Sequence, residues 1–280
     1  MILVDFSSVM ISKLLYEHSK GEVLDENFIR HSCLERLRNI SLEFKTSDYG
    51  KLVLCCDSSE GYWRKEFFPY YKIQRRKAQL KSKLDWKFLG DTLSKIIEEW
   101  KEWLPYRIVK VKGAEADDVI ATIVKAMGDW PDKRNLIVSS DMDFLQLQKY
   151  PNVEQFSLNT QTFMKSEDPE GYLLEKIIRG ESSDSIPNIL SDDDFIANGV
   201  RQKPITKKRM SEILNNGVEE QYQNNFNRNK TLIDFDMIPK KISTTVLMEY
   251  SNLNLNPKDK MLNYLIEKKM TGFLNCLQDF

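Results

Sequence analysis

Leu52-Val53-Leu54-Cys55-Cys56-Asp57 is the stretch on which the fold turns. Five consecutive apolar residues are too few for a helix and too continuous for a strand with one wet face. The run therefore reads as a strand buried on both sides, as in a parallel sheet, and it ends on an aspartate. Three further runs read the same way: Met1 to Val4, Ile108 to Val111 and Leu136 to Ser139. Between them the apolar residues fall near helical spacing, at Phe28, Leu34, Leu37, Ile40 and Phe44, then at Leu93, Ile96, Ile97, Trp100 and Leu104. Alternating strands and helices predict an α/β domain with a mostly parallel, twisted central sheet flanked by helices. After about Ser166 the strand-like runs fade. Helices are expected over Glu170–Arg179, Lys207–Asn215, Val218–Arg228, Ser243–Tyr250 and Asp259–Lys268. The division expected is an α/β domain over 1–165 and a helical domain over 166–280.

Composition narrows the chemistry. The 280 residues are about two domains' worth of chain, 41% hydrophobic and 30% charged. The longest aliphatic/Cys run, Leu52 to Cys56, is far short of the ~20 residues of a membrane span. Asp5 interrupts the first apolar segment and no basic stretch precedes it, which argues against a signal peptide. Cys33, Cys55, Cys56 and Cys276 contain no C-x-x-C, so neither a disulfide scaffold nor a zinc ribbon is expected, and the compartment is a reducing one. Only His18 and His31 are present, which excludes an H-E-x-x-H zinc site and leaves a Ser-His-Asp triad poorly supplied. Carboxylates and metal remain.

Acidic residues punctuate the strand ends. Asp5 follows the first strand, Asp57 the second, and Asp141 with Asp143 the fourth. The third runs into Lys112-Gly113-Ala114-Glu115-Ala116-Asp117-Asp118, where a helix over Val119–Met127 begins. One such aspartate is ordinarily a helix cap or turn residue, and Asp117-Asp118 would complement a helix dipole. Four on one sheet edge are harder to explain so. In an open parallel sheet the C-terminal strand ends line the ligand-binding crevice. Two carboxylates about 4 Å apart repel by roughly 4 kcal/mol at an effective dielectric near 20, so half a dozen call for protonation or cations. Hard oxygen ligands favour magnesium or manganese.

The net charge of −1 conceals a second feature. From Arg64 to Lys87 nine Lys or Arg stand against Glu66 and Asp85 alone. Tyr62, Trp63, Phe67, Phe68, Tyr70 and Tyr71 are interleaved with the first of them. A charge run is commonly a solvated helix face, and Phe67, Tyr70 and Tyr71 are also candidate core residues. Cations for phosphates beside rings for unpaired bases are nevertheless what a single-strand groove requires. Metal-binding carboxylates next to a phosphate-binding strip point to phosphodiester chemistry, in which two metals serve an in-line displacement without a histidine base.

Asp5, Asp57, Glu115-Ala116-Asp117-Asp118, Ser140-Asp141-Met142-Asp143 and Gly180-Glu181-Ser182-Ser183-Asp184-Ser185-Ile186-Pro187 resemble the 5′-nuclease (flap endonuclease) family in order and spacing. Gly61-Tyr62-Trp63-Arg64 through Tyr71-Lys72, and Leu232-Ile233-Asp234-Phe235-Asp236, extend the likeness over nearly the whole chain. The resemblance implies a 5′-nuclease/PIN-like sheet, a helical arch over 62–90, and a helical C-terminal region with a helix-three-turn-helix-like DNA-binding element. It implies a first Mg2+ on Asp5, Asp57, Asp117 and Asp141, supported by Glu115 and Asp118, and a second on Asp143, Asp184 and Glu181, with Mn2+ as a substitute. Asp117 and Asp141 would serve catalysis together with Arg64 and Lys72, which match residues engaging the scissile phosphate. Tyr71 matches an aromatic that stacks on the terminal base, and Arg75, Arg76 and Lys77 continue the nucleic-acid surface. The family's Gly-Ile-Gly-x-Lys-Thr turn is replaced by Asn198 to Lys208, so phosphate contacts are expected from the side chains of Lys203, Lys207, Lys208 and Arg209.

The activity so implied is a divalent-metal-dependent 5′-to-3′ exonuclease with flap endonuclease activity. It would remove RNA primers and adjacent DNA from lagging-strand fragments. Its substrates would be DNA and RNA–DNA duplexes with 5′ ends or flaps. The implied enzyme is a cytoplasmic monomer (in the host cytoplasm if phage-encoded). Kinship suggests a single-strand binding protein and a sliding clamp as partners, although the chain opens directly on its first strand with no room for a clamp tail. A PIN-type ribonuclease and a non-catalytic flap-binding protein are the alternatives; the basic strip weighs against the first and the complete carboxylate set against the second.

Overall fold

The computed structural model describes residues 1–128, 133–252 and 255–280. Its strands are β1 (Ile2–Asp5), β2 (Leu52–Cys56), β3 (Arg107–Lys110), β4 (Asn135–Val138), β5 (Val153–Ser157) and β6 (Thr162–Met164). The helices, in chain order, are α1 (Phe6–Ser19), α2 (Glu26–Glu43), α3 (Thr46–Tyr49), α4 (Trp63–Phe67), α5 (Ile73–Lys81), α6 (Trp86–Trp103), α7 (Ala116–Met127), α8 (Pro169–Arg179), α9 (Lys207–Asn216), α10 (Gln223–Ile233), α11 (Lys240–Asn252) and α12 (Lys258–Glu267). All four expected strands are present within a residue or so of their expected bounds.

The strands form one sheet in the order β3-β2-β1-β4-β5-β6. The first five are parallel and only β6 runs against its neighbour. The central strands β1, β2 and β4 are buried at every residue, which is why their sequences are unbroken apolar runs. The order reverses between β1 and β4, so the ends of these two strands flank the topological switch point where open α/β sheets bind ligands.

The chain packs as two compact units, and they do not follow the linear split at 165/166. One comprises 1–60, 86–165 and 241–280; the other comprises 61–85 and 166–240. In the first unit the C-terminal helices return to the α/β layer. Asn256 Nδ2 donates to the carbonyls of Lys101 and Leu104, Tyr264 Oη donates to Glu99 at 2.9 Å, and Met261, Tyr264 and Leu265 are fully buried. In the second unit the core is Phe68, Tyr71, Ile177, Ile186, Leu232 and Ile233, with a smaller cluster around Ile178, Ile189, Met210 and Ile213. Here the basic strip forms α4 and α5, and the helix expected over Val218–Arg228 lies later, as α10, after a left-handed Gly217 (φ 83°) ends α9.

Candidate active site

Each strand-end acid in the first unit is held by the start of the next element. Asp5 caps α1, Oδ1 accepting from Ser8 N at 3.2 Å, while Oδ2 accepts from Ser139 Oγ at 2.8 Å. Asp57 Oδ1 accepts from Ala116 N at 3.0 Å, so the end of β2 sits on the N-terminus of α7, where a carboxylate complements the helix dipole. Ser58 tightens the same junction: its N–H donates to Ala114 O at 2.9 Å and its Oγ accepts from Gly113 N at 3.0 Å. Glu115 and Asp118 form a capping box, with Asp118 Oδ2 on Glu115 N at 2.9 Å, and both are buried. Asp117, on the turn between them, is half-buried. Asp141 Oδ1 accepts from Asp143 N at 2.9 Å at the start of a 3₁₀ turn over Met142–Lys149.

The capping and ligand readings thus meet in the same residues, because a cap fixes one carboxylate oxygen and aims the group. Electrostatics shows how near the acids stand. Asp5 is 5% exposed, and its carboxyl is pushed from an ordinary 3.8 up to about 7. Burial is the main cause and the Asp57 charge the next; Asp141 adds to it, while the Ser139 and Ser8 hydrogen bonds oppose it. Acids from β1, β2 and β4, up to 136 positions apart, therefore share one electrostatic neighbourhood. Among the described residues no three His, Cys, Asp or Glu side chains form a ready cation cage. The acids make a charged rim of oxygen donors, not a closed shell. Such a set, disfavouring its own ionisation, suits a hard divalent cation.

The second unit holds the other expected residues. Glu181 Oε1 accepts from Ser183 N and Oγ at 3.1 and 2.7 Å, and its Oε2 lies 3.0 Å from Lys176 Nζ; the bond from Ser183 and the Lys176 charge keep its carboxyl below the ordinary value against the opposing cost of burial. Asp184 receives Tyr71, Lys72 and Arg75 of the basic strip. Arg76, Lys203, Lys207 and Lys208 are exposed, the last two at the N-terminus of α9, where Thr206 caps Arg209 N. Arg209 pairs with Glu212 and Glu219 instead.

Three expectations are revised. Tyr71 is 5% exposed and packs among Phe68, Ile177 and Ile186, so its ring is core and is not offered to a base. Arg64 is 3% exposed, with Nε donating to Leu232 O at 2.8 Å and its guanidinium 4.6 Å from the Trp63 ring centre. That side chain holds α4 to α10, which an exposed phosphate contact would not do. Lys77 Nζ donates to Ala197 O at 2.7 Å and anchors α5.

Residues 2–175 match the family model described as 5′-3′ exonuclease, N-terminal resolvase-like domain, and residues 167–280 match that of T4 RNase H, C terminal. The chain belongs to the 5′-3′ exonuclease family. It is 33% identical to the ribonuclease H of Enterobacteria phage T4 over 99% of this chain and 95% of that protein. It is 26% identical to the 5′-3′ exonuclease of Buchnera aphidicola subsp. Schizaphis graminum over 57% of this chain and 54% of that one. In fold it is similar to the phage T5 D15 protein co-crystallized with metal ions, with a TM-score of 0.64 at 18% identity over 90% of this chain and 98% of that one. T5 5′-exonuclease with bound zinc gives a TM-score of 0.61 at 19% identity, over 90% and 98%.

Several residues that organise the site of this 5′-3′ exonuclease were not singled out by sequence. Ser139 bridges Asp5 and Asp141, its Oγ donating to Asp5 and accepting from Asp141 N at 3.2 Å. Gln155, fully buried on β5, donates through Nε2 to Ser139 O at 3.0 Å and Asp141 O at 2.6 Å. The signal for Ser139 was its place between an apolar run and Asp141. Gln155 carried none, since its strand reads as polar.

Proposed function

We propose that this 5′-3′ exonuclease is a Mg2+-dependent phosphodiester hydrolase acting on DNA and RNA–DNA duplexes with 5′ ends or flaps. On this reading it removes RNA primers and adjacent DNA during replication. The observation that carries the proposal is the meeting of Asp5, Asp57 and Asp141 at the sheet's switch point, with the Asp5 carboxyl raised to about 7. Asp5, Asp57, Asp117 and Asp141, backed by the buried Glu115 and Asp118 and followed by Asp143, would hold a cation in the first unit; Glu181 and Asp184 are the acids of the second unit that would serve as cation ligands. Divalent cations bound there supply an acidified water and stabilise the leaving oxygen of an in-line displacement.

The chain's own groups do the rest. Ser139 and the first turn of α1 fix Asp5, the α7 N-terminus fixes Asp57, and the Glu115–Asp118 box sets the turn that carries Asp117. Lys72, Arg75 and Arg76 supply cations for the substrate's phosphates, with Arg64 and Tyr71 as the packed base beneath them. Exposed Lys203, Lys207 and Lys208 at α9 would contact duplex phosphates by side chain, and each such contact adds to the salt dependence of binding. The T5 D15 flap endonuclease, of which a pseudo-enzyme–product complex with DNA and metal ions has been solved, shares the fold and supports a DNA substrate. Among the described residues no helix is long and apolar enough to cross a membrane.

A 5′-labelled flap duplex and a 5′-labelled RNA–DNA hybrid, each with Mg2+ or EDTA, test the proposal. Short 5′-terminal products that require Mg2+ are expected. Structure-blind RNA cleavage, or binding without cleavage, would refute it.

A further inference from the structure

Basic residues at the base of an arch are expected to face phosphate. Here they converge on one carboxylate. Asp184 Oδ1 accepts from Arg75 Nη2 at 2.9 Å, Oδ2 accepts from Tyr71 Oη at 3.3 Å, and Lys72 Nζ lies 3.8 Å from Oδ2. The Asp184 carbonyl accepts from Lys72 N at 2.8 Å. The next residue, Ser185, fully buried, accepts through Oγ from Gln74 N at 3.1 Å. Further along α5, Gln74 Nε2 donates to Ile196 O and Lys77 Nζ to Ala197 O. The seam is backbone-strained on both sides, with Lys72 at φ 56° and Ser185 at φ 63°, left-handed conformations rare for such residues. The start of α5 is thereby fastened to the segment 184–197, and Asp184 is the carboxylate on which its cations converge.

We propose that Arg75 is a positioning residue that acts through Asp184: the start of α5 and a divalent cation compete for that carboxylate, so cation binding loosens α5. The inference rests on Asp184 being a cation ligand. A carboxylate whose two oxygens serve Arg75, Tyr71 and Lys72 cannot give both to a cation. Engagement of the cation therefore costs the arch its charged fastening, and the coupling is reciprocal: whatever releases Arg75 strengthens cation binding by the same factor. Arg75, half-exposed, and Lys72 are then handed to the substrate's phosphate once the cation is in place.

Two measurements on the full chain without nucleic acid decide the matter. Hydrogen exchange of the amides of 73–81 is followed in EDTA and in saturating Mg2+, and Mg2+ binding is followed by calorimetry. The expected result is several-fold faster exchange of 73–81 in Mg2+. Asp184→Asn should show the fast exchange already in EDTA and no response to Mg2+. Arg75→Ala should bind the weaker Mg2+ several-fold more tightly and reach half-maximal cleavage at correspondingly lower Mg2+, with Arg75→Lys returning toward the parent; a merely structural arginine would not move that midpoint. Equal protection of 73–81 in parent and Asp184→Asn in EDTA would overturn the inference, as would Mg2+ binding by the parent with no change in exchange. Absence of any Mg2+ binding would instead overturn the cation-site reading, while the comparison in EDTA still tests whether Asp184 fastens the arch.

Discussion

Replacing Asp5 by asparagine should leave the metal-free protein about as stable in mild acid and make it more stable in mild alkali. The folded protein keeps the Asp5 carboxyl neutral up to about pH 7, whereas in the unfolded chain it ionises near 3.8. Between those values the folded state holds a proton that the unfolded state has lost, so stability falls as pH rises through the window and levels off above about 7. At 1.36 kcal/mol per pH unit the full window is worth about 4 kcal/mol, an upper figure because neighbouring acids share the effect. Asparagine carries no charge at any pH and removes that slope, but it loses one of the hydrogen bonds from Ser8 N or Ser139 Oγ, about 1 kcal/mol. Urea denaturation in EDTA at pH 5 and pH 8 reads both. Asp5→Asn is expected within about 1 kcal/mol of the parent at pH 5 and up to about 3 kcal/mol above it at pH 8. Mg2+ at pH 8 should then stabilise the parent more than the variant. If parent and variant run parallel between pH 5 and 8, Asp5 is not held neutral by Asp57, Asp141 and burial, and the crowded-carboxylate argument is refuted.

Asp117→Asn should abolish cleavage of a labelled flap duplex while DNA affinity stays within about tenfold; near-normal cutting would remove Asp117 from the metal site. Lys72→Ala should lower single-turnover cleavage more than it raises Kd, and a change confined to Kd would make Lys72 a tether only. Gly180→Ala is expected to destabilise the second unit by about 1–3 kcal/mol, because its Cβ would stand 2.4 Å from Ile186 O at a φ of 69°; an unchanged urea midpoint would contradict the close packing of the 180–187 loop. Tyr71→Ala should cost roughly 3–5 kcal/mol of stability by emptying a core position, as large aromatic truncations do. Loss of DNA affinity at unaltered stability would restore the stacking role.

The sheet's central strands were legible because burial on both faces leaves an apolar run with nothing polar in it, and the acid after each run marked the C-terminal edge. β5 and β6 escaped for the opposite reason. Val153-Glu154-Gln155-Phe156-Ser157 carries polar residues whose partners are tertiary, Gln155 on the carbonyls of Ser139 and Asp141, and Glu154 on Arg134 and Tyr49, so no local pattern announces a strand. The return of 241–280 to the α/β layer was equally silent, since helical periodicity says that a face is buried but not against what. In the basic strip, cations and rings were read as one exposed surface. The structure divides them, with Arg64 and Tyr71 turned into the core and Arg75 and Arg76 left outside. Spacing alone does not distinguish an arginine that grips a carbonyl from one that awaits a phosphate.

A crystal soaked in Mn2+ and measured at the manganese absorption edge would test most directly whether the strand-end acids share cations. Anomalous density within about 2 Å of carboxylate oxygens of Asp5, Asp57, Asp117 or Asp141 is the expected result. Well-ordered crystals in millimolar Mn2+ with those carboxylates uncoordinated, or with the ions bound elsewhere on the chain, would contradict it.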